Sequence, residues 1–255
     1  MKAALVTGGA LRIGAAIVRR LAASGHAVAI HCNRSRNEAE ALAAGINASG
    51  GRAMVVCGDL ADPATSPRIV AEATHCFGSL TLLVNNAALF EGDSLTVFET
   101  DTFSRQIAVN LQAPLLLSRA FAEHACEGGA IINLIDQRVL KPTPYYLSYA
   151  LTKEALWSAT RILARSLAPR LRVNAVAPGP CLPNSADGPE VFAREVAAIP
   201  LQRAVSPDEI AEAVVFLAQA EGVTGQMIAV DGGQHLGWKT PDVLALEGAS
   251  NQGDH

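Results

Sequence analysis

No apolar run in this 255-residue chain approaches the roughly 20 residues that a helix needs to cross a bilayer, which argues against a transmembrane helix. A basic excess is also missing: 20 Lys and Arg stand against 24 Asp and Glu, a net charge of −4. Nucleic-acid binders usually carry a basic patch or stripe, so that class is set aside. Cysteine is sparse and scattered. Cys32, Cys57, Cys76, Cys126 and Cys181 are odd in number and never form a CxxC pair. A disulfide scaffold and a metal site are therefore not expected, and buried, reduced thiols are. After Met1 the chain runs straight into KAALVTGG, without the basic, apolar and small-residue order of a secretory signal. A cytoplasmic protein is expected. No linker rich in Pro, Gly or Ser divides the chain, and no repeat recurs. One domain is expected over residues 1–237, with 238–255 as a C-terminal tail.

What is present is a core-forming composition, 50% hydrophobic and 17% charged. Short apolar runs at 3–7, 27–31, 53–57, 80–85, 131–135, 172–177 and 227–230 read as strands. Helical stretches at 13–24, 39–48, 66–77, 102–124, 151–168 and 207–220 separate them. Ser206 and Glu209 form a capping box at the start of the last. Continuous apolar strands between helices predict an α/β fold: a doubly wound, seven-stranded parallel sheet with helices on both faces. The least regular segments are 178–189, either a substrate loop or plain surface, and the tail, either a packing arm or plain surface.

Between the first strand and first helix lies Thr7-Gly8-Gly9-Ala10-Leu11-Arg12-Ile13-Gly14. Glycines there let the main chain approach a pyrophosphate, and the helix N-terminus supplies amide donors. The strict GxGxxG spacing is absent. So is the acid that commonly ends the second strand to hold a ribose 2′-hydroxyl. His31-Cys32-Asn33-Arg34-Ser35 stands there instead, and Arg34, Ser35 and Arg12 would surround a 2′-phosphate, predicting NADPH rather than NADH. Asp59, just past the third strand, either accepts from an adenine amino group or caps the turn before Pro63. Asn85-Asn86-Ala87-Ala88 follows the fourth strand, where open α/β sheets bind ligands.

Tyr149 and Lys153 stand four residues apart, one helical turn, on the same face. An ammonium so placed favours the phenolate and is expected to lower the tyrosine pKa towards neutrality, where a proton donor works best.

Taken in order, the TGGxxxIG turn, Asp59, the Asn-Asn-Ala-Ala run, Asn110, Tyr149-x-x-x-Lys153, Pro178-Gly179 and the closing Val-Asp-Gly-Gly at 230–233 resemble the short-chain dehydrogenases/reductases. The likeness runs over about residues 2–233. It implies a single-domain Rossmann protein, usually a homotetramer, that moves hydride to or from a nicotinamide. It implies Tyr149 as proton donor, Lys153 on the nicotinamide ribose and lowering the tyrosine pKa, and Asn110 holding a water in the proton relay. The implied cofactor contacts are Thr7, Gly8, Arg12, Ile13, Gly14, Asn33, Arg34, Ser35, Asp59, Leu60, Asn86, Ala87, Tyr149, Lys153, Pro178 and Gly179.

One further absence changes the expectation. The family normally has serine about thirteen residues before the tyrosine, donating to a substrate carbonyl; here Asp136 stands there. An ionised carboxylate only accepts and would repel the negative charge that grows on a carbonyl oxygen. Ser148, next to Tyr149, points about 100° away round the helix and does not replace it. A substrate with N–H donors that takes its proton on a ring nitrogen fits better. The arrangement is similar to the pteridine reductases in its Asp136, its turn arginine Arg12, its His-x-x-Arg-Ser strand end and Phe90 after the Asn-Asn-Ala run. That resemblance implies Phe90 stacking on a flat pterin, with Arg12, Asp136 and Tyr149 as further substrate contacts; Phe90 could otherwise be core. Ala88 replaces a serine seen in some of these enzymes, and 178–189 has no clear counterpart. Two alternatives remain: a carbonyl or 3-oxoacyl-thioester reductase, and a catalytically idle NADPH-binding regulatory protein. The intact Asn110, Tyr149 and Lys153 set weighs against the last. The helices at 102–124 and 149–168 would supply an oligomer interface or only core. His235 either borders the site or is a surface histidine.

Overall fold

The computed structural model describes residues 2–183 and 188–237. The C-terminal tail, and residues 184–187 of the irregular loop, lie outside the described residues. The strands are β1 (Ala3–Val6), β2 (Ala27–Cys32), β3 (Ala53–Cys57), β4 (Leu82–Asn85), β5 (Gly129–Leu134), β6 (Leu171–Pro178) and β7 (Met227–Val230). All pair in parallel, in the order β3-β2-β1-β4-β5-β6-β7. The expected seven-stranded, doubly wound sheet is what forms.

Two cores follow from the period-2 alternation of side chains along a buried strand. In β1, Ala4 and Val6 face one way, against Ile17, Val18 and Leu21 of α1 (Arg12–Ala23). That core also takes α2 (Arg36–Ala48) and α8 (Pro207–Gln219). Ala3 and Leu5 face the other, against α3 (Thr65–Phe77) and Leu117 and Phe121 of α5 (Ala113–His124). Each fully buried Leu, Ile or Phe contributes roughly 1.5–3 kcal/mol relative to exposure. The capping box forms as expected, with Glu209 N–H donating to Ser206 Oγ at 3.2 Å and Ser206 N–H to Glu209 Oε2 at 2.8 Å.

Three elements differ from expectation. The helix expected at 102–124 is broken into α4 (Thr100–Ile107), a π turn (Ala108–Gln112) and α5. Pro114 has no N–H to return to the Asn110 carbonyl, so the regular ladder fails there. Next, α6 spans Leu147–Leu167, starting before the expected residue 151. Its first turn is capped from a distance: Ser148 N–H donates to Asp93 Oδ1 at 3.0 Å, the Ser148 hydroxyl to Asp93 Oδ2, and Tyr146 N–H to the Asp93 carbonyl at 2.8 Å. Finally, α7 (Gly188–Ala198) lies where no helix is expected, directly after the Pro- and Gly-rich stretch, and no residue in it is fully buried. The thiols also depart from expectation. Cys32 and Cys181 are buried, Cys57 is half-buried, and Cys76 and Cys126 are exposed.

Candidate active site

The strand order reverses between β1 and β4, and the crevice beyond the carboxyl ends there is where open α/β sheets take ligands. A cavity of about 510 Å³ opens at that place. Its wall includes Gly8, Arg12, Ile13, Gly14, Asn33, Asp59, Leu60, Asn86, Ala87, Phe90, Asp136, Tyr149, Lys153, Pro178 and Gly179. Of the residues expected to bind cofactor or substrate or to catalyse, Thr7, Arg34, Ser35 and Asn110 stand outside that wall.

At one end the chain is shaped for close approach. Gly8 has φ +59°, and a Cβ on Gly14 would collide with the Gly8 carbonyl oxygen. The turn is stapled to β4. Asn86 Nδ2 donates to the carbonyls of Thr7 and Gly8 at 2.8 and 3.0 Å, and Thr7 Oγ1 accepts from the main-chain N–H groups of Asn86 and Ala87 at 2.9 and 3.0 Å. Thr7 thus holds the turn in place. No side chain caps the start of α1, and no acid stands in its first turn. Uncapped amides with a favourable dipole, beside glycines that admit a large anion, fit a pyrophosphate.

In the sequence His31 is marked only as part of the strand end. It is buried, and that burial depresses its pKa, so the ring is neutral. Nδ1 accepts from Gly8 N–H at 3.2 Å, which leaves Nε2–H to donate to the Gly58 carbonyl at 3.0 Å. One imidazole thereby ties the glycine turn to the end of β3. Asn33 and Arg34 are exposed and Ser35 is half-buried. Asp59 caps its own turn, accepting from Ala61 N–H at 2.9 Å, and pairs with Arg105 at 3.1 Å. The Ala61 bond foremost, with Arg105 and Arg34, keeps its pKa low. Arg12, at φ +51°, reaches across to the carbonyls of Pro183 and Leu182 at 3.2 and 3.4 Å.

At the other end Asp136 follows β5 and accepts from Tyr149 Oη–H at 3.1 Å through Oδ2. Arg138, overlooked in the sequence, clamps the same carboxylate. Its main-chain N–H donates to Oδ1 at 2.8 Å, and Nη1 lies 3.2 and 3.1 Å from Oδ1 and Oδ2. The guanidinium also sits over the rings of Phe90 and Tyr146, 5.5 and 5.3 Å from their centroids. Phe90 stacks on Tyr146 at 4.5 Å and meets Tyr149 edge-on at 4.7 Å. Phe90 is therefore a half-buried wall of the cavity rather than core.

The expected lowering of the Tyr149 pKa does not occur in this state. Burial raises it well above the ordinary value, and the Asp136 charge adds to the rise, with Arg138 opposing. Lys153 is engaged elsewhere, donating to the Leu134 carbonyl at 2.7 Å, and its own pKa falls to about 8, chiefly from burial. Asn110 is fully buried. Its Oδ1 accepts from Leu89 N–H at 2.7 Å, and Nδ2 donates to the Leu89 carbonyl at 2.9 Å and to Thr152 Oγ1 at 3.2 Å. It fixes the Phe90 loop to α6. His235 is half-buried and pairs with buried Asp231 at 2.6 Å.

Comparison with known proteins adds to this picture. The family described as "Enoyl-(Acyl carrier protein) reductase" matches residues 9–235. A solved structure, FolM alternative dihydrofolate reductase 1 from Brucella canis complexed with NADP, is 48% identical with a TM-score of 0.89, covering 95% of this chain and 97% of that one. An uncharacterized oxidoreductase of Methylorubrum extorquens is 38% identical, covering 91% of this chain and 97% of its own length. The 3-oxoacyl-[acyl-carrier-protein] reductase FabG of Staphylococcus aureus is 34% identical, covering 92% and 98%.

Proposed function

The chain belongs to the short-chain dehydrogenases/reductases, and on that premise we propose that it reduces a dihydropterin to the tetrahydro form with NADPH. Dihydromonapterin, dihydrobiopterin and dihydrofolate are the substrates in view. The observation that carries this reading is the Asp136–Tyr149 bond beside Phe90, a carboxylate acceptor where a carbonyl reductase would have a serine donor. The likeness to a FolM alternative dihydrofolate reductase supports it.

NADPH fits the crevice from the uncapped start of α1 to Lys153, and bound there it supplies the hydride. The chain's own part is positional and protic. Phe90 offers a flat wall to a flat ring, worth roughly 0.5–1.5 kcal/mol beyond area. Tyr149, kept protonated by burial, turns its Oη–H from Asp136 to the ring nitrogen as the adjacent carbon takes the hydride. The phenolate left behind is balanced by Lys153. Asp136 accepts from substrate N–H groups. The water-holding role implied for Asn110 would draw on the main chain of its π turn, because its amide is engaged by Leu89 and Thr152.

The test is a panel of dihydropterins and carbonyl compounds assayed with NADPH and NADH. Turnover of a dihydropterin with NADPH is expected. Consumption of NADPH with acetoacetyl thioester and with no dihydropterin would instead establish the carbonyl reading. That second reading draws on the FabG relative and on Arg138, whose charge offsets that of Asp136. Arg34, Ser35 and Arg12 are assigned to the 2′-phosphate. Arg34→Ala should cut the NADPH-over-NADH ratio of kcat/KM roughly tenfold, since a charge-assisted bond of about 1.4 kcal/mol would be lost. An unchanged ratio would remove Arg34 from the site.

We also assign a homotetramer. The long helices carry both kinds of residue: Leu117, Phe121 and Leu156 are core, while Leu115, Leu151 and Ile162 are 38%, 49% and 65% exposed. Apolar side chains bare on neighbouring helices suit a subunit contact. Sedimentation as a monomer at micromolar concentration would refute it. Among the described residues no helix is long and apolar enough to cross a membrane.

A further inference from the structure

We propose that Arg138 is a substrate-binding residue, whose guanidinium supplies the hydrogen-bond donors that the missing serine would have given, so that Arg138 and Asp136 together recognise a ring edge carrying an acceptor beside an N–H donor. This rests on the dihydropterin reading for the identity of the ring, and only for that.

The bonding of the guanidinium carries the argument. Arg138 lines the cavity beside Phe90, Asp136 and Tyr149, and its side chain is 20% exposed. Only Nη1 is engaged, by the two Asp136 oxygens at 3.2 and 3.1 Å. Among the described residues, Nε–H and both Nη2–H donors have no acceptor. A guanidinium has five N–H donors in a fixed planar fork, and it accepts nothing. Donors left over on a largely buried, cavity-lining fork call for an acceptor on whatever fills the cavity. The fork is also held still. Asp136 grips one nitrogen, and the rings of Phe90 and Tyr146 flank the plane at 5.5 and 5.3 Å from their centroids. It is therefore set in place before substrate arrives.

Charge points the same way. Asp136 alone would repel an electron-rich oxygen or ring nitrogen, but the ion pair is neutral and offers both signs. Its acceptor side suits an N–H, and its donor side suits a carbonyl oxygen or imine nitrogen next to it. A cyclic amide or amidine edge has that order of groups; an isolated ketone has only the acceptor. Glu195, on the same cavity wall, adds a further charge that acts on Arg138.

Arg138→Lys tests donors against charge, because lysine keeps the cation beside Asp136 and loses the planar fork. The measurement is steady-state KM and kcat with the dihydropterin that wild type turns over, plus NADPH affinity by fluorescence titration. The expected result is a KM raised about tenfold, as loss of a hydrogen bond from a charged donor predicts. NADPH affinity and kcat should stay within about twofold. Arg138→Met should raise KM at least as far. A KM that stays at the wild-type value in Arg138→Lys overturns the proposal, whatever happens to kcat, because charge alone then suffices. If wild type turns over only carbonyl substrates, the dihydropterin reading has failed separately. The same two variants are then measured on that substrate, where a raised KM sustains Arg138 as the donor and an unchanged KM overturns it.

Discussion

Replacing Tyr149 by phenylalanine should lower kcat at least about a hundredfold, the usual worth of a positioned general acid, while NADPH affinity stays within about twofold. The substitution is conservative in packing. The ring keeps its edge contact with Phe90 at 4.7 Å, and Asp136 keeps its main-chain and side-chain bonds to Arg138. Only the phenolic bond to Asp136 at 3.1 Å and the transferable proton are removed. A variant that retains more than a tenth of wild-type kcat would show that the proton comes from elsewhere, and an idle binding protein would show no turnover to lose. The pH profile carries the same information. Tyr149, held well above its ordinary pKa by burial, stays loaded with its proton throughout the neutral range. Lys153, at about 8, is the first of the pair to lose its proton and with it the ammonium charge, so wild-type activity should fall as pH rises through about 8. Its effect on stability has the opposite sign: charged burial is penalised at low pH, and the penalty is relieved as pH climbs from about 8 towards the ordinary 10.5.

The parts of this site that were legible in the sequence depend on local pattern. The glycine turn, the alternation of apolar strands with helices that implies a parallel sheet, and the Tyr149–Lys153 spacing are each written in residues close along the chain. Asp136 was legible for another reason: it stands thirteen residues before Tyr149, where the family that the chain resembles has a serine, and a carboxylate cannot donate as that serine does. What escaped notice depends on pairings between distant residues. Arg138 reads as an ordinary loop cation until Phe90, from 48 positions earlier, is brought beneath it. Asp93 caps α6 across 55 residues, which is why that helix starts earlier than its own residues suggest. The Tyr149 pKa shifts opposite to the direction that its spacing from Lys153 implies, because spacing along a helix says nothing of burial and because the Leu134 carbonyl, 19 residues before Lys153, holds the ammonium. Thr7 shows the same limit in reverse: its motif position is right, yet its hydroxyl serves the Asn86 and Ala87 main chain.

Asp136 is where the dihydropterin and carbonyl readings part, and Asp136→Ser is the substitution that separates them. Serine returns the donor that carbonyl reduction needs and removes the carboxylate acceptor that substrate N–H groups need. Dihydropterin kcat/KM should fall at least about tenfold, the loss expected when a charged hydrogen-bond partner is removed. Reduction of an acetoacetyl thioester should hold steady or rise in the same assay. Unchanged dihydropterin turnover would take away the main support for the pterin reading. The substitution also strands Arg138, whose side chain is only 20% exposed, beside a neutral residue. Breaking a buried pair from one side costs about 3 kcal/mol or more, so a lowered Tm is expected alongside the change in specificity. The double variant Asp136→Ser with Arg138→Met keeps the two effects apart. It removes the stranded charge, and so should regain most of the lost Tm, but it restores no acceptor. Stability that returns while dihydropterin turnover stays low would assign the loss to recognition by the Asp136–Arg138 pair; turnover that returns with stability would assign it to folding.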